Sequence, residues 1–170
     1  MNVSDAIRTK RAVRRFQDQP LPAKAVQKIL NAGRRSQSSK NNQPWQLIAV
    51  QDKTILQALS ATGTYAGHLA GAALGVAILT PNPDERFQTL FDAGQAAAFM
   101  QLAAWELHIG SCLASIYELD KAREILGFPP EWQLSICISF GFPADESLIT
   151  APPKKGGRKP LDEIVHWDKW

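Results

Sequence analysis

The chain has 170 residues, of which 45% are hydrophobic and 21% are charged, and its formal net charge at pH 7 is +3. A chain of this length is expected to fold as one domain that buries roughly 70% of the surface exposed by the unfolded form. No run of about 18 apolar residues predicts a membrane span, and the N-terminal MNVSDAIRTKR lacks the apolar part of a secretory signal. We therefore expect a single cytoplasmic domain over residues 1–170.

The first forty residues predict two helices and a cationic surface. Ser4 is a candidate N-cap for a helix ending near Lys10, and Pro22 begins a second helix that stops at Gly33. This part of the chain holds ten lysines and arginines against two aspartates. Such a surface suits nucleic acid, a phosphorylated small molecule or a solvated helix face.

The middle of the chain predicts two strands, a short helix between them and one long helix. The predicted strands are 45–50 and 74–80, the short helix is capped by Asp52, and the long helix runs over 83–108 with Asn82 as its N-cap. The long helix is apolar nearly all round and carries small residues over 94–104. This pattern is typical of a helix in the core or at a subunit interface.

The last third of the chain predicts two more strands around a short helix. These elements are a strand over 111–116, a helix from Leu119 to Leu126 closed by Gly127, a strand over 134–140, and a surface loop over 150–159 that leads to a C-terminal arm. Strands and helices mix without regular βαβ repetition, which favours the α+β class over a doubly wound sheet.

The usual catalytic and nucleotide-binding signatures are missing from the sequence. It contains no GxGxxG, GxxxxGK[ST] or GxSxG motif. The three histidines are far apart, and Cys112 and Cys137 lie in apolar segments without a CxxC pair. We therefore predict two buried thiols and no metal centre.

Three polar segments remain as candidates for a binding site. They are a cationic run that begins at Lys10, the donor-rich stretch 36–43, and the late cations Arg158 and Lys159. Guanidinium groups bind phosphate in a bidentate manner, and hydroxyl or backbone donors can complete such a site. The three segments would suit one phosphorylated ligand if the fold brings them together.

Five stretches, taken in order, resemble the nitroreductase family of FMN-dependent oxidoreductases. They are AIRTKRAVRRF, SQSSKNNQPW, LFDAGQAAAFMQLAAWELHIGS, LGFPPEWQLSICISFGFP and RKPLDEIVHW. The resemblance implies a nitroreductase-like α+β fold in which a central, mostly antiparallel sheet is flanked by helices. It also implies a two-fold homodimer with a long interface helix, an exchanged C-terminal arm, and FMN sites lined by both subunits.

The resemblance further implies which residues bind FMN. Lys10, Arg11 and Arg14 would hold the phosphate and reach the ring, with Ala12 where the family often has a serine. The partner subunit would supply Ser38, Ser39 and Asn41. The remaining implied contacts are Leu113, Ser115 and Ile116 near flavin N5, Tyr65 and His68 at the ring, and Arg158 with Lys159 at the phosphate.

The implied reaction is ping-pong transfer of hydride from NADH or NADPH, through flavin N5, to an electron-poor acceptor such as a nitroaromatic or a quinone. The flavin carries this chemistry, so no catalytic side chain is needed. One alternative is a flavoprotein of the same fold that performs dehalogenation, pteridine reduction or flavin fragmentation. A second is a basic nucleic-acid-binding module without a cofactor, although only Phe16 lies near the cations to stack on bases.

Overall fold

The computed structural model describes residues 1–152 and 158–170, so the middle of the loop predicted over 150–159 lies outside the described residues. The α-helices and strands of the described residues are α1 (Val3–Thr9), α2 (Ala23–Arg34), β1 (Gln46–Val50), α3 (Lys53–Ser60), β2 (Leu74–Thr80), α4 (Gln88–Glu106), β3 (Gly110–Ala114), α5 (Leu119–Leu126), β4 (Gln133–Gly141), α6 (Ser147–Thr150) and α7 (Leu161–Ile164). Two short 3₁₀-helices cover Ser39–Asn41 and Gly67–Leu69.

The four strands form one antiparallel sheet in the order β1-β2-β4-β3. Every residue of β2 is buried. Because helices cover both faces of the sheet there, β2 reads as a continuous apolar run rather than as an alternating one. The predicted α+β class is confirmed.

Two apolar clusters fill the space between the sheet and the helices. On one face, α2 and α4 pack against β4, with Ile29, Met100 and Phe140 fully buried. The absence of a side chain at Gly33 lets Met100 approach α2, because a Cβ there would lie 2.8 Å from the Met100 Cγ. On the other face, α3 and α5 cover the sheet through residues such as Leu56 and Ala122.

The segment after α1 extends the sheet beyond β3. Ala12 forms an isolated parallel bridge with Ser111, and the Val13 amide donates to the Ser111 carbonyl at 3.0 Å. Gly110 makes this approach possible, since a Cβ there would lie 2.6 Å from the Val13 Cβ. The cationic run that begins at Lys10 is therefore held along the outer edge of β3.

Two predicted helix starts are wrong, and each has a local cause. Asn2, rather than Ser4, caps α1, because its side-chain oxygen accepts from the Asp5 amide at 2.9 Å. The long helix begins at Gln88 and not at Pro83. Asn82 instead closes a turn, in which its Oδ1 accepts from the Asp84 amide at 3.0 Å.

The outward face of α4 is apolar and exposed. Phe91 and Phe87, which directly precedes the helix, are 72% and 73% accessible, and Leu90 and Phe99 are also exposed. A single chain thus leaves a large apolar surface in water, which is a feature of protein interfaces.

None of the helices within 1–152 and 158–170 combines the length and apolar character needed to cross a bilayer.

The loop over 61–68 is fastened to the segment that follows β3. The buried Thr62 carbonyl accepts from the Tyr117 and Glu118 amides at 2.9 and 3.0 Å. Gly63 lies directly against the Ser115 carbonyl, so any side chain at Gly63 would meet the backbone. The predicted strand over 111–116 therefore ends at Ala114, because the chain then turns to pair with this loop.

We predict that Gly63→Ala lowers the free energy of unfolding by about 1–3 kcal/mol, because the added methyl group must displace a backbone carbonyl. Gly67→Ala is the matched control in the same loop, where an added Cβ meets nothing within 4 Å. The measurement is urea unfolding of both variants beside the wild type. Equal midpoints for the two variants would contradict the close contact at Gly63.

Candidate functional site

Two of the predicted cationic residues meet a buried thiol at the outer edge of β3. The positive charges of Arg14 and of the half-buried Lys10 act on the Cys112 thiol, which itself donates to the Leu113 carbonyl at 3.5 Å. Burial raises the pKa of the Cys112 thiol, while Arg14 and Lys10 oppose that shift. Burial likewise lowers the pKa of Lys10. We call Lys10, Arg14 and Cys112 the basic edge.

The basic edge has the charge of an anion site. None of the ion pairs between described residues involves Lys10 or Arg14. Neither cation is neutralised by an ion pair, so a bound anion would be attracted to both. A phosphate or another anionic group therefore fits this position.

Arg11 is partly engaged within the chain. Its Nη2 donates to the Ala151 carbonyl at 2.6 Å and its Nε donates to the Thr9 carbonyl at 3.2 Å. These bonds leave the other guanidinium N–H groups for a ligand. They also tie the end of α6 to the start of the cationic run.

His68 lies beneath the same strand and is 9% exposed. Its Nδ1 is 2.8 Å from Ser139 Oγ, which donates in turn to the Cys112 carbonyl at 3.3 Å. Because a carbonyl oxygen can only accept, this chain places the ring proton of neutral His68 on Nδ1. The buried Nε2 has no hydrogen-bond partner among the described residues.

The surroundings of His68 favour its neutral form. Burial lowers the pKa of His68 most, the nearby Arg14 lowers it further, and the backbone of Leu113 opposes the shift. His68, which was predicted as a ring contact, is thus buried within the single chain. Tyr65, which was predicted with it, is 78% exposed on the same loop.

The other residues predicted near the ligand ring lie on β3 and on the segment that follows it. Leu113 is exposed on β3, and Ser115 and Ile116 belong to the segment that pairs with the Thr62 loop. The loop that carries Tyr65 thus lies beside the segment that carries Ser115.

Asp92 on α4 holds the backbone of the donor-rich stretch 36–43. The Ser39 amide donates to both carboxylate oxygens of Asp92, at 3.2 and 3.3 Å, and Ser38 Oγ accepts from the Gln43 amide at 2.9 Å. Lys40, Asn41 and Gln43 adopt left-handed backbone conformations with φ of 52°, 56° and 49°. The exposed Ser39 and Asn41 face solvent at this end of the molecule.

A single chain does not bring this stretch to the basic edge. Asp92 lies near the start of α4, whereas Trp105 near its end donates from Nε1 to Thr9 Oγ1 at 3.0 Å, close to Lys10. At 1.5 Å per residue, about 20 Å of helix separates the two contacts. The two donor groups could therefore serve one ligand only if a second copy supplied one of them.

Arg158 and Lys159 begin the C-terminal part of the described chain. Both are exposed, and Lys159 Nζ lies 3.5 Å from Glu163 Oε1. Their role at a phosphate stays a prediction.

Sequence reasoning missed three residues that organise the site. Cys112 and Ser139 link the basic edge to His68, and Asp92 holds the donor-rich stretch. Asp92 could have been noticed, because it is the single charged residue between Phe87 and Trp105 and is buried. Cys112 and Ser139 gave no sequence signal beyond burial in an apolar strand.

Comparisons with known proteins agree on one family. The sequence profile of the Nitroreductase family matches residues 7–66 and 60–142. A protein from Archaeoglobus fulgidus, provisionally named NADH dehydrogenase/NAD(P)H nitroreductase, is 29% identical over 171 residues, which cover 96% of each chain.

Solved structures show the same fold. An FMN-dependent nitroreductase from Clostridium difficile superposes with a TM-score of 0.83 at 26% identity, over 97% of this chain and 98% of that one. The NfrA2 protein of B. megaterium superposes with a TM-score of 0.88 at 20% identity, over 100% of this chain and 76% of that one.

The lowered pKa of His68 predicts how stability depends on pH. Below about pH 6.5 the unfolded chain protonates this histidine before the folded chain does, so stability falls as pH falls through that range. His68→Asn removes the titration, and we expect its melting temperature to change less than that of the wild type between pH 7 and pH 5. The measurement is a thermal melt at each pH.

His108→Asn is the control for this prediction. His108 is exposed with φ of 60°, a conformation that asparagine tolerates. We expect it to keep the pH dependence of the wild type. Identical profiles for His68→Asn and the wild type would contradict the lowered pKa.

Proposed function

Because the chain belongs to the nitroreductase family, we propose that it is an FMN-dependent oxidoreductase that passes hydride from NADH or NADPH to an electron-poor acceptor such as a nitroaromatic or a quinone. The observation that carries the proposal is the basic edge. Lys10 and Arg14 both belong to it, and neither forms an ion pair with a described carboxylate. The family match favours this enzyme over the nucleic-acid-binding alternative.

Several residues of the chain fit FMN by their chemistry. Lys10 and the remaining N–H groups of Arg11 would hold the phosphate, helped by the exposed backbone at Ala12 and by Arg158 and Lys159. Arg14 would lie at the N1–O2 edge of the ring. Leu113, Ser115, Ile116 and Tyr65 would line the ring, with His68 beneath them.

When bound, FMN supplies N5 as the atom that accepts hydride and then gives it up. The protein would bind FMN, orient its ring and stabilise the charge on it. The positive charge of the exposed Arg14 would stabilise negative charge at the adjacent edge of the ring. The exposed Leu113 and Tyr65 offer apolar surface against which flat donors and acceptors can lie.

We also propose that the site is completed by a second copy related by a two-fold axis. Each subunit would present Ser38, Ser39 and Asn41 to the basic edge of its partner. The exposed apolar face of α4 supports such a dimer, since association would remove it from water.

The C-terminal arm has a matching surface on the fold. Leu161, Ile164 and Trp167 are exposed on the arm. A groove of about 700 Å³ runs between α2 and the edge strand β1, with Leu30, Trp45 and Leu47 among its lining residues. We propose that the arm of one subunit is exchanged onto the other, where the groove offers Leu30 and Leu47 beside polar residues such as Arg34.

The experiment that tests the function follows the flavin directly. The purified protein, incubated with FMN and desalted, is expected to show a flavin absorbance band that NADH or NADPH bleaches and that a nitroaromatic or a quinone restores. Protein that stays colourless after incubation with FMN would refute the proposal.

Arg14→Ala is expected to weaken FMN retention or to slow flavin reduction by about 10-fold or more, because it removes the charge at the ring edge. Arg15→Ala is the matched control, an exposed arginine on the same segment for which no ligand contact is predicted. The measurements are the flavin-to-protein ratio and the rate of bleaching by NAD(P)H. A normal ratio with a normal rate in Arg14→Ala would rule out that role.

The shared site predicts complementation between two defective chains. The double variant Lys10→Ala, Arg14→Ala and the triple variant Ser38→Ala, Ser39→Ala, Asn41→Ala are each expected to lose FMN. After unfolding and refolding them together, about a quarter of the wild-type FMN content should return, because half of the dimers are mixed and each mixed dimer has one intact site. A site built within one chain would give no recovery.

A further inference from the structure

Asp92 is a buried acid to which the proposed function assigns no task. It lies in the second turn of α4, is 4% exposed, and takes part in none of the ion pairs within 1–152 and 158–170. A buried carboxylate destabilises a fold unless hydrogen bonds compensate. Both of its oxygens accept from the Ser39 amide, at 3.2 and 3.3 Å. An apolar side chain would serve the packing of α4 equally well, so the contact with Ser39 is what an acid adds here.

The backbone that Asp92 contacts is strained. Lys40, Asn41 and Gln43 have φ of 52°, 56° and 49°, in the left-handed region that is unfavourable for residues with a β-carbon. The bond from the Gln43 amide to Ser38 Oγ closes the stretch on itself. The bonds to Asp92 instead join the stretch to a helix of 19 residues that packs in the core. Asp92 therefore anchors the strained conformation to the rest of the fold.

The same hydrogen bonds decide which groups the stretch offers to a ligand. Asp92 occupies the Ser39 amide, and Ser38 Oγ accepts from the Gln43 amide, which leaves the Ser38 hydroxyl hydrogen to be donated. The side chains of Ser39 and Asn41 are exposed. With the backbone held, these three side chains offer hydroxyl and amide donors at fixed positions, which suits a ligand with several acceptor oxygens.

Asp92 is too far from the basic edge of its own chain to act on it directly. It lies near the start of α4, whereas Trp105, near the end of the helix, donates to Thr9 beside Lys10. About 20 Å of helix separates the two contacts. An effect of Asp92 that passes through Ser39 reaches only the basic edge that the donor-rich stretch serves.

We propose that Asp92 is a positioning residue for the FMN site at the basic edge of the partner subunit, and not for the site at its own basic edge. It acts by holding Ser39, and with it Ser38 and Asn41, in the conformation that binds. The proposal rests on the FMN-dependent function and on the shared site proposed above. It adds a direction, because damage to Asp92 affects the site that the partner's cations complete.

The first experiment measures the dissociation constant of FMN by flavin fluorescence. Asp92→Ala leaves the Ser39 amide without its acceptor, and we expect it to raise the constant about tenfold or more. Asp92→Asn keeps an oxygen that can accept from this amide, and we expect it to stay within about threefold of the wild type. A normal constant in Asp92→Ala, or equal losses in the two variants, would overturn the proposal.

Thr89→Ala is the matched control. Thr89 is a buried polar residue one turn before Asp92, and its hydroxyl donates to the Arg86 carbonyl at 2.9 Å rather than to the stretch. We expect this variant to bind FMN as the wild type does. A loss equal to that of Asp92→Ala would mean that any damage to the start of α4 is enough, and the proposal would fall.

The second experiment tests the direction by refolding two chains together, at an FMN concentration that fills the wild type but leaves the Asp92→Ala homodimer largely empty. With the double variant of Lys10 and Arg14, Asp92→Ala is expected to recover about a quarter of the wild-type FMN content, because each mixed dimer joins the intact cations of one chain to the intact stretch of the other. With the triple variant of the donor-rich stretch, Asp92→Ala should recover none, since both stretches are then defective.

Two other patterns would contradict this direction. Recovery with the triple variant and not with the double variant would place the action of Asp92 at its own basic edge. No recovery in either pair would indicate general damage to the subunit. Either result would overturn the proposal.

The outcomes separate this proposal from the proposed function. Failure of the wild type to bind FMN would refute both. No recovery between the double and the triple variant would refute the shared site, and this proposal with it. Recovery of that pair, without recovery of Asp92→Ala by the double variant, would refute only the role of Asp92. Should Asp92→Ala fail to fold, Asp92→Leu, which has nearly the shape of aspartate and no acceptor, is measured in its place against the same expectations.

Discussion

Residues 12–13 lie beside β3 because the Val13 amide donates to the Ser111 carbonyl and the Val13 side chain packs on Gly110. This one contact fixes where the cationic run can lie, and the rest of the candidate site depends on it. It sets Arg14 against Cys112, and the β3–β4 ladder then connects Cys112 to Ser139 and His68. Hydrogen bonds thus connect the backbone of β3, through Ser139 on β4, to a buried imidazole.

The long helix α4 packs in the core and also separates the donor-rich stretch from the cationic run. Asp92 near its start holds the donor-rich stretch, and Trp105 near its end holds α1 and the cationic run. Because a helix is stiff, the two donor groups stay about 20 Å apart in one chain. The same helix exposes Phe91 and Phe99, so the surface that would join two copies lies between the two halves of a site.

The sequence predicted β2 well because complete burial makes this strand apolar along nearly its whole length. The strand over 74–80 matches β2, and the helix Leu119–Leu126 ends at Gly127 with φ of +69°, as predicted. The helix start at Asn82 was predicted wrongly because an asparagine side chain can cap either a helix or a turn, and Asn82 caps a turn. At the site, arginines and serines stand out in a sequence, whereas the partners of His68 depend on strand register, which no local pattern encodes.

The two cysteines lie at different depths of the same sheet. Both are buried, and burial raises the pKa of the Cys137 thiol to about 12, deep between β4 and the α3–α5 layer. Cys112 is covered from the edge, where Ala12 and Val13 lie beside the neighbouring Ser111. An alkylating reagent can reach Cys112 once the N-terminal segment lifts, but it reaches Cys137 only when the sheet opens. The ratio of the two labelling rates therefore measures how often the edge detaches while the core stays folded.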